Sequence, residues 1–303
     1  MDEKTPITKI RIGPAGWSYK DWAGIVYPKR KPAGFHEATY LATYFDTIEL
    51  NVTFYRPIPV ATAKEWVARV AANKNFVFTA KLWKEFTHNR DLSAANELAF
   101  RPAMEALRDA GKLGALLAQF PWSFKNEPDN LNYLNKLVER FREFPFVVEV
   151  RHGSWDKPEV YEWFADRGVG FCNIDQPVIG RSMQPSDRTT APVGYVRLHG
   201  RRYDTWFSHG PDALSSERYN YLYSAEELNP WLKRIQNIAQ TGESAFVITN
   251  NHYEGKAIVN ALQLVHRLTK RPVDAPRTLV ERYSALEAIC NSSDSTPNLF
   301  RNG

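Results

Sequence analysis

Charged side chains occur at alternate positions near the ends of several short apolar segments. Glu49 and Glu149 supply carboxylates, and Lys81, Arg151 and Arg197 supply cations. Guanidinium groups bind a carboxylate or phosphate at two points, so the cations predict an anionic substrate group. A carboxylate acts as general base or acid when burial or a neighbour moves its pKa toward neutrality. These residue types therefore predict acid–base chemistry on a small anionic or sugar-like metabolite.

Two further proton-transfer candidates follow later apolar segments. His199 stands at the end of one segment, where a histidine is as often structural as functional, and Asp175 ends another as a third carboxylate. His88, and His152 just before Trp155, are weaker candidates of the same kind. All of them are of the residue types that act as general acids and bases.

Other chemistries have less support in the sequence. Metal hydrolysis needs closely spaced ligands, whereas the histidines and carboxylates here are scattered; we predict no metal ligands, although a divalent metal stays open. Gly13-Pro-Ala-Gly16 lacks the Lys-Ser/Thr of a P-loop and the third glycine of a dinucleotide fingerprint, so we expect no nucleotide cofactor. Ser18 and Cys172 have no histidine partner that the sequence reveals, so covalent catalysis through them is not argued.

Short apolar segments alternate along the chain with segments of helical period. This alternation is typical of strand–helix units around a parallel sheet. The candidate strands are Ile10–Gly13, Thr47–Asn51, Phe76–Lys81, Leu113–Phe120, Phe146–His152, Val169–Ile174, Gly194–His199 and Ala245–Asn251. A capping box is expected at Ser224–Glu227, with Gly242 ending that helix. Eight such units close as a (β/α)8 TIM-type barrel in about 250 residues, and we expect one barrel domain over residues 1–271.

Strand alternation predicts which side chains face the barrel interior. The outer faces must be apolar because helices cover them, so Ile48 and Leu50 place Glu49 inside. The same argument applies to the other segments. The residues expected inside are Thr47, Glu49, Asn51, Thr79, Lys81, Glu149, Arg151, Tyr195, Arg197 and His199, with Gln119, Asn173 and Asp175 at strand ends and one of Asn250 and Asn251. They lie toward the C-terminal halves of the strands, where barrel enzymes place catalytic groups.

The structural alternative is a buried ion-pair network that only fills the barrel. In it, Glu49 or Glu149 would neutralise Arg151 or Arg197. Buried charges are costly unless paired, and Val, Ile and Leu fill a barrel interior at lower cost, so we favour a functional interpretation.

Three segments depart from the regular pattern. Residues 176–193 hold three prolines and no helical period, which predicts an irregular sixth crossover. Residues 201–223 form a long insertion rich in Tyr and Trp, which is either a lid or a flap packed over the barrel mouth. Residues 272–303 are expected to be a C-terminal extension with one short helix near Leu279–Ile289.

Composition excludes some protein classes. No run approaches the roughly 18 apolar residues that span a bilayer, and two cysteines are too few for a disulfide framework, so we expect a cytoplasmic protein. The formal net charge of +5 favours anionic partners only mildly. The sequence does not determine the oligomeric state.

The candidate residues lie within ordered blocks of sequence. The blocks are Gly16-Trp17-Ser18-Tyr19 with Trp22 and Tyr27-Pro28, Glu49 to Tyr55, Lys81, Thr87-His88, Gln119-Phe120-Pro121, Glu149-Val-Arg151-His152 with Trp155, Asp175, Tyr195 to Gly200, and Asn250-Asn251 before Gly255 and Ala257. This pattern resembles the YecE-like family, also called domain of unknown function 72, from about Ile10 to Thr269. The resemblance implies a TIM barrel and a bacterial cytosolic setting. One departure is His252, where the family more often has a small polar residue; it either adds a ligand contact or faces solvent.

The candidate site follows from both arguments. The catalytic candidates are Glu49, Glu149, His199 and Asp175, and the substrate-binding candidates are Asn51, Tyr55, Lys81, His88, Gln119, Arg151, His152, Trp155, Arg197, Asn250 and Asn251. A small-molecule enzyme is the first hypothesis. A nucleic-acid-binding or nucleic-acid-processing barrel, stacking bases on Tyr203, Trp206 and Tyr219, is the alternative, and a non-catalytic sensor is the third.

Overall fold

Eight parallel strands form the centre of the protein, in a computed structural model that describes residues 9–203 and 217–291. The strands are β1 (Ile10–Pro14), β2 (Thr47–Leu50), β3 (Val77–Lys81), β4 (Leu113–Gln119), β5 (Phe146–Glu149), β6 (Gly170–Asp175), β7 (Val193–Leu198) and β8 (Ser244–Thr249). Each strand from β2 to β7 pairs with the next, and β1 pairs with β8. The result is a nearly closed barrel, which confirms the predicted (β/α)8 fold.

Helices follow the strands and cover their outer faces. They are α1 (Glu37–Leu41), α2 (Val52–Tyr55), α3 (Val60–Arg69), α4 (Lys84–Thr87), α5 (Ala94–Asp109), α6 (Pro128–Arg140), α7 (Pro158–Asp166), α8 (Ala225–Thr241), α9 (Lys256–Thr269) and α10 (Arg277–Arg282). The predicted capping box is present, since the Ser224 side chain accepts from Glu227 N and the Glu227 side chain accepts from Ser224 N. None of the helices within residues 9–203 and 217–291 is both long and apolar enough to cross a bilayer.

The seam between β1 and β2 closes the barrel with little regular pairing. Ala15 and Glu49 form an isolated parallel bridge, and Gly16 N donates to Glu49 O at 2.8 Å. Gly13 faces β2 so closely that a Cβ atom there would lie 1.9 Å from the backbone oxygen of Thr47. Because glycine has no Cβ atom, it allows β1 and β2 to approach this closely and the barrel to close.

The sixth crossover contains no helix, as predicted. Asn173 ties it to β6: its Nδ2 donates to Arg188 O at 2.8 Å, and its Oδ1 accepts from Ser186 Oγ at 2.7 Å. The expectation that Asn173 points into the barrel is therefore wrong. A crossover helix would bond its own backbone groups to one another. Because this crossover has no helix, the Asn173 amide provides hydrogen-bond partners for it.

Of the two other irregular segments, the insertion after β7 lies only partly within the described residues, and the C-terminal extension is described as far as residue 291. Residues 204–216, most of the predicted lid, lie outside the described residues, as does Trp206. Residues 272–291 pack on the barrel, where Thr278 Oγ1 donates to Ile25 O at 2.7 Å and Tyr283 OH donates to Glu254 O at 2.8 Å. The short helix predicted there divides into α10 and a 3-10 turn at Ser284–Leu286.

We predict that Gly13→Ala destabilises the protein by about 3 kcal/mol, because the added methyl group overlaps the β2 backbone. Urea unfolding measures this. Gly34→Ala is the control, since it meets nothing within 4 Å and has only the cost of its φ of +76°, about 1 kcal/mol. Equal losses in the two variants would contradict the close contact at the seam.

Candidate functional site

A three-residue ion cluster fills the barrel between β2, β5 and β7. Arg197 is wholly buried and donates through its two terminal nitrogens, to Glu49 Oε1 at 2.8 Å and to Glu149 Oε2 at 2.6 Å. Both carboxylates are wholly buried as well. A buried charge is tolerated when a close counter-charge compensates its lost hydration, and here each carboxylate shares one guanidinium. We call Glu49, Arg197 and Glu149 the central ion cluster.

The Glu49 side of the cluster is completed by two hydroxyl groups. Tyr195 OH lies 2.9 Å from Glu49 Oε2 and 2.7 Å from Thr79 Oγ1, so it donates to the carboxylate and accepts from the threonine. Burial raises the pKa of Tyr195 well above its ordinary value, which keeps this hydroxyl protonated. Glu49 thus has a partner on each oxygen.

The Glu149 side is completed by Arg151 and His199. Arg151 Nε lies 2.9 Å, and His199 Nε2 3.2 Å, from Glu149 Oε1. Burial alone would raise the pKa of Glu149, but the positive charge of Arg197, joined by that of Arg151, holds it well below its ordinary value. Glu149 is therefore an ionised carboxylate at neutral pH.

His199 is a neutral imidazole. Burial is the main reason that its pKa falls to about 3. Its Nδ1 lies 3.0 Å from Asn250 Nδ2, which fits an imidazole that accepts from the amide and donates from Nε2 to Glu149. Through these two hydrogen bonds, His199 connects Asn250, at the barrel mouth, with Glu149 of the central ion cluster.

Lys81, at the end of β3, is the one lysine that reaches this region from the described strands. Its Nζ donates to Gln119 Oε1 at 2.7 Å and lies 4.2 Å from the centre of the Phe54 ring. Within the described residues it makes no ion pair closer than 4.0 Å. Burial, and then the charge of Arg197, lower its pKa to about 7. Both protonation states of the amine are therefore populated near neutral pH.

A cavity of about 440 Å³ opens above Lys81 at the C-terminal ends of the strands, and we call it the mouth cavity. Its aromatic wall is formed by Trp17, Tyr19, Tyr55, Trp66, Tyr219 and His252, and its polar groups come from Ser18, Asn51, Lys81 and Asn250. The rings of Tyr19 and His252 stack with centroids 4.2 Å apart, and Tyr219 lies 4.9 Å from His252 on centroids. His252 therefore lines the cavity and does not simply face solvent.

A cavity of about 560 Å³ lies at the opposite end of the barrel, beside Arg11, Asp46 and Asn73. That end carries the N-terminal ends of the strands, where conserved features of barrels serve stability. We therefore place the candidate site at the mouth cavity, which adjoins the central ion cluster.

Asp175 does not join the central ion cluster. Its carboxylate accepts from Arg201 at 2.8 and 2.7 Å, from Tyr223 OH at 2.9 Å and from Trp231 Nε1 at 2.7 Å. These partners belong to the segment after β7 and to α8, so the expectation that Asp175 points into the barrel is wrong. It anchors the outer layer instead.

The two consecutive asparagines after β8 point in different directions. Asn250 lines the mouth cavity, whereas Asn251 donates to Tyr221 O at 2.7 Å and to Asn260 Oδ1 of α9 at 2.8 Å. One of the pair was expected to face inward, and it is Asn250.

Three other candidates lie away from the cavity lining. His152 bonds to Ser154 at the start of a 3-10 turn. Trp155 is wholly buried and donates to Phe124 O at 2.8 Å. His88 is exposed and contacts the edge of Phe54, with centroids 5.1 Å apart. Tyr55, in contrast, lines the cavity and is 67% exposed.

Sequence reasoning did not propose Trp17, Tyr19 or Trp66, which form half of the aromatic wall. Trp17 and Tyr19 follow β1 directly, and that position at the end of a barrel strand is a usable signal. Trp66 gives no such signal, because on α3 it fits the apolar face of the helix. Phe54, beneath the Lys81 amine, is equally inconspicuous in sequence.

Within residues 9–203 and 217–291, no group of three or more His, Cys, Asp or Glu side chains is arranged to hold a metal ion. The carboxylates of the central ion cluster are directed at guanidinium groups instead.

These observations define a (β/α)8 barrel with a buried ion cluster beneath an aromatic cavity at the C-terminal ends of its strands. The chain belongs to the family described as "Protein of unknown function DUF72", whose sequence profile matches residues 11–282. The UPF0759 protein YunF from Bacillus subtilis (strain 168) is 28% identical over 272 residues, covering 86% of this chain and 94% of that protein.

Solved structures of the family share the architecture. A DUF72 family protein from Thermotoga maritima MSB8 superposes with a TM-score of 0.74 at 31% identity, covering 86% of this chain and 99% of that one. A DUF72 family protein from Enterococcus faecalis V583 has a TM-score of 0.75 at 24% identity, covering 88% and 97%. At 24% identity, the similarity to the Enterococcus faecalis protein shows only that the fold is shared.

We predict that Arg197→Met destabilises the protein by about 3–5 kcal/mol, because buried Glu49 loses its counter-charge and Glu149 keeps only that of Arg151. Chemical unfolding measures the change. Arg69→Met is the matched control, since it breaks an exposed pair with Glu65 worth less than about 1 kcal/mol. Adding Glu49→Gln and Glu149→Gln to Arg197→Met should recover part of the loss, and a small loss in the single variant would contradict the buried cluster.

Acid should weaken the fold below the ordinary histidine pKa of 6.5. The folded-state pKa of His199 is about 3, and those of His88 and His252 are about 4, so their stabilising contribution is complete above 6.5 and lost as the pH falls toward these values. Glu149 adds a loss below 4.5. Unfolding free energies from pH 7 to 4 should fall less steeply for His199→Asn than for the unsubstituted protein, and parallel curves would rule out a buried neutral His199.

Proposed function

We propose that this protein is an enzyme that binds a small anionic or sugar-like metabolite in the mouth cavity and transfers a proton through the amine of Lys81. The observation that carries the proposal is the position of Lys81, which is 8% exposed and lines the cavity, and whose amine has no ion-pair partner within 4.0 Å among the described residues.

The charge balance around Lys81 favours an anionic ligand. The two carboxylates of Glu49 and Glu149 are balanced by the guanidinium groups of Arg197 and Arg151. Among the described residues, protonated Lys81 therefore leaves one positive charge beside the cavity without a carboxylate within ion-pair distance. A phosphate or carboxylate would neutralise that charge in a site of low dielectric, where such pairs are strong.

The cavity walls favour a compact ligand with both apolar and hydroxyl groups. A volume of about 440 Å³ falls in the range of small-molecule sites. Aromatic rings provide flat apolar surfaces, and the amides of Asn51 and Asn250 provide donors and acceptors at the rim.

The geometry supports Lys81, more than the carboxylates or His199, as the proton-transfer group. A general acid or base works best with a pKa near the working pH. The pKa of Lys81 is about 7, that of His199 about 3, and that of Glu149 well below its ordinary value. Glu149 and His199 then serve as positioning residues that hold Arg151, Arg197 and Asn250 around the site.

The nucleic-acid alternative keeps one observation in its favour. Tyr55 and Tyr203 are 67% and 56% exposed and offer aromatic surface to a base. Tyr219, which was also proposed to stack on a base, instead lines the mouth cavity. We therefore rank a small metabolite first.

We expect inorganic phosphate and dihydroxyacetone phosphate to bind, and dihydroxyacetone and a single-stranded oligonucleotide to bind more weakly. Calorimetry should show the affinity for phosphate falling as the pH rises through 7, because Lys81 loses its charge there. Lys81→Met should reduce that affinity at least tenfold, as loss of a charge-assisted hydrogen bond would.

The control for this measurement is Lys84→Met, which removes an exposed lysine three residues away. Equal effects of the two substitutions would refute the role of Lys81. Tight, steeply salt-dependent binding of the oligonucleotide would favour the nucleic-acid alternative.

A further inference from the structure

The surroundings of the Lys81 amine favour nucleophilic chemistry as well as anion binding. An anchoring lysine works best as a permanent ammonium, solvated or paired with a carboxylate. Lys81 is instead enclosed by the carbonyl oxygen of Gln119 at 2.7 Å and the face of Phe54 at 4.2 Å. Arg197 and Arg151 add positive charge nearby. Burial and these two guanidinium charges favour a neutral amine, which carries the lone pair that a nucleophile needs.

In the neutral form, the orientation of the amine follows from its contacts. One N–H is taken by Gln119 Oε1, so the remaining N–H and the lone pair are left for other directions. Lys81 lines the mouth cavity, and that cavity is the space its amine shares with a ligand. The lone pair can therefore meet a ligand atom without displacing Gln119.

We propose that Lys81 forms an imine with the carbonyl carbon of a small ketose or aldose phosphate in the mouth cavity. This inference rests on the proposed function and names its substrate class. The Nζ lone pair attacks the carbonyl carbon, and a proton moves from nitrogen to the former carbonyl oxygen to give a carbinolamine. A proton from solvent water then releases that hydroxyl as water, and the C=N bond forms. No oxidant or reductant is required.

The site also stabilises the charge that this step creates. The protonated imine is a cation at the place where a neutral amine stood, directly over the Phe54 ring, whose face attracts cations. Glu49 and Glu149 act electrostatically on the same atom and favour its positive form. An iminium group makes the neighbouring C–H acidic, so in this complex Lys81 acts as the electron sink and no longer as the proton-transfer group.

The polar rim fits the rest of such a ligand. Asn51 and Asn250 stand on different strand ends around the cavity and can hydrogen-bond hydroxyl groups on a short carbon chain. Tyr19, Trp17 and His252 provide flat surfaces for its C–H faces. A short sugar phosphate fits within this space of about 440 Å³.

Trapping by reduction tests the proposal directly. The full-length protein is incubated with sodium cyanoborohydride and one of three probes: dihydroxyacetone phosphate, dihydroxyacetone without the phosphate, or glycerol 3-phosphate without the carbonyl. Intact mass and peptide mapping then locate any reduced adduct. We expect one adduct per chain at Lys81 with dihydroxyacetone phosphate, at least tenfold less with dihydroxyacetone, and none with glycerol 3-phosphate.

Substitutions and pH provide the controls. Lys81→Arg and Lys81→Met should abolish the adduct, whereas Lys84→Met should leave it unchanged, with folding of each variant checked by circular dichroism. The rate of trapping at Lys81 should rise through pH 7, where its amine loses a proton, well below the ordinary lysine value of 10.5. If the Lys81 variants do not fold, peptide mapping of the unsubstituted protein still decides the question.

The possible results separate the two proposals. Phosphate probes that bind without forming an adduct would overturn the imine and leave the proposed function standing. Absence of both binding and adduct would overturn both. Modification spread evenly over surface lysines, with no preference for Lys81, would also overturn the imine.

Discussion

The placement of one guanidinium between two carboxylates is the constraint on which the interior of this barrel depends. Arg197 bonds to Glu49 from β2 and Glu149 from β5, so it links strands on different sides of the barrel. Arg197 is the essential member of this set, because its loss would leave buried Glu49 without a counter-charge. The structural alternative considered for these residues thus describes them correctly: they form an ion-pair network. They also determine the electrostatics of the cavity above them.

Arg197 of the central ion cluster contributes to the lowered pKa of Lys81. Because Arg197 occupies both carboxylates, neither is left to pair closely with Lys81, and Arg197 repels its positive charge. Burial under an aromatic wall removes the hydration that would otherwise keep an amine protonated. A low amine pKa is therefore a consequence of how the barrel is filled. Membership of the DUF72 family establishes the architecture, and the chemistry proposed here follows from this local arrangement.

A separate polar network supports the outside of the barrel. Asp175 holds Arg201, Tyr223 and Trp231, and Asn173 holds the sixth crossover, where a helix is absent. Both side chains are buried and fully engaged in structural bonds. The polar groups of β6 therefore hold the outer layer in place. Cys172, on the same strand, faces the interior, where its sulfur lies 4.0 Å from Glu149 Oε2.

The amino-acid sequence by itself determined the eight strands, their approximate limits and the inward direction of Glu49, Glu149, Lys81 and Arg197, because alternation and helical period are local properties of the chain. Alternation failed on β6, where the irregular crossover gives Asn173 polar partners on the outer face, and the segment after β7 and α8 do the same for Asp175. Only the tertiary structure decided which charges pair, and hence that Arg197 is enclosed while Lys81 lines the cavity. Pairing depends on distances between strands far apart in sequence, and a pKa depends on the burial those distances create.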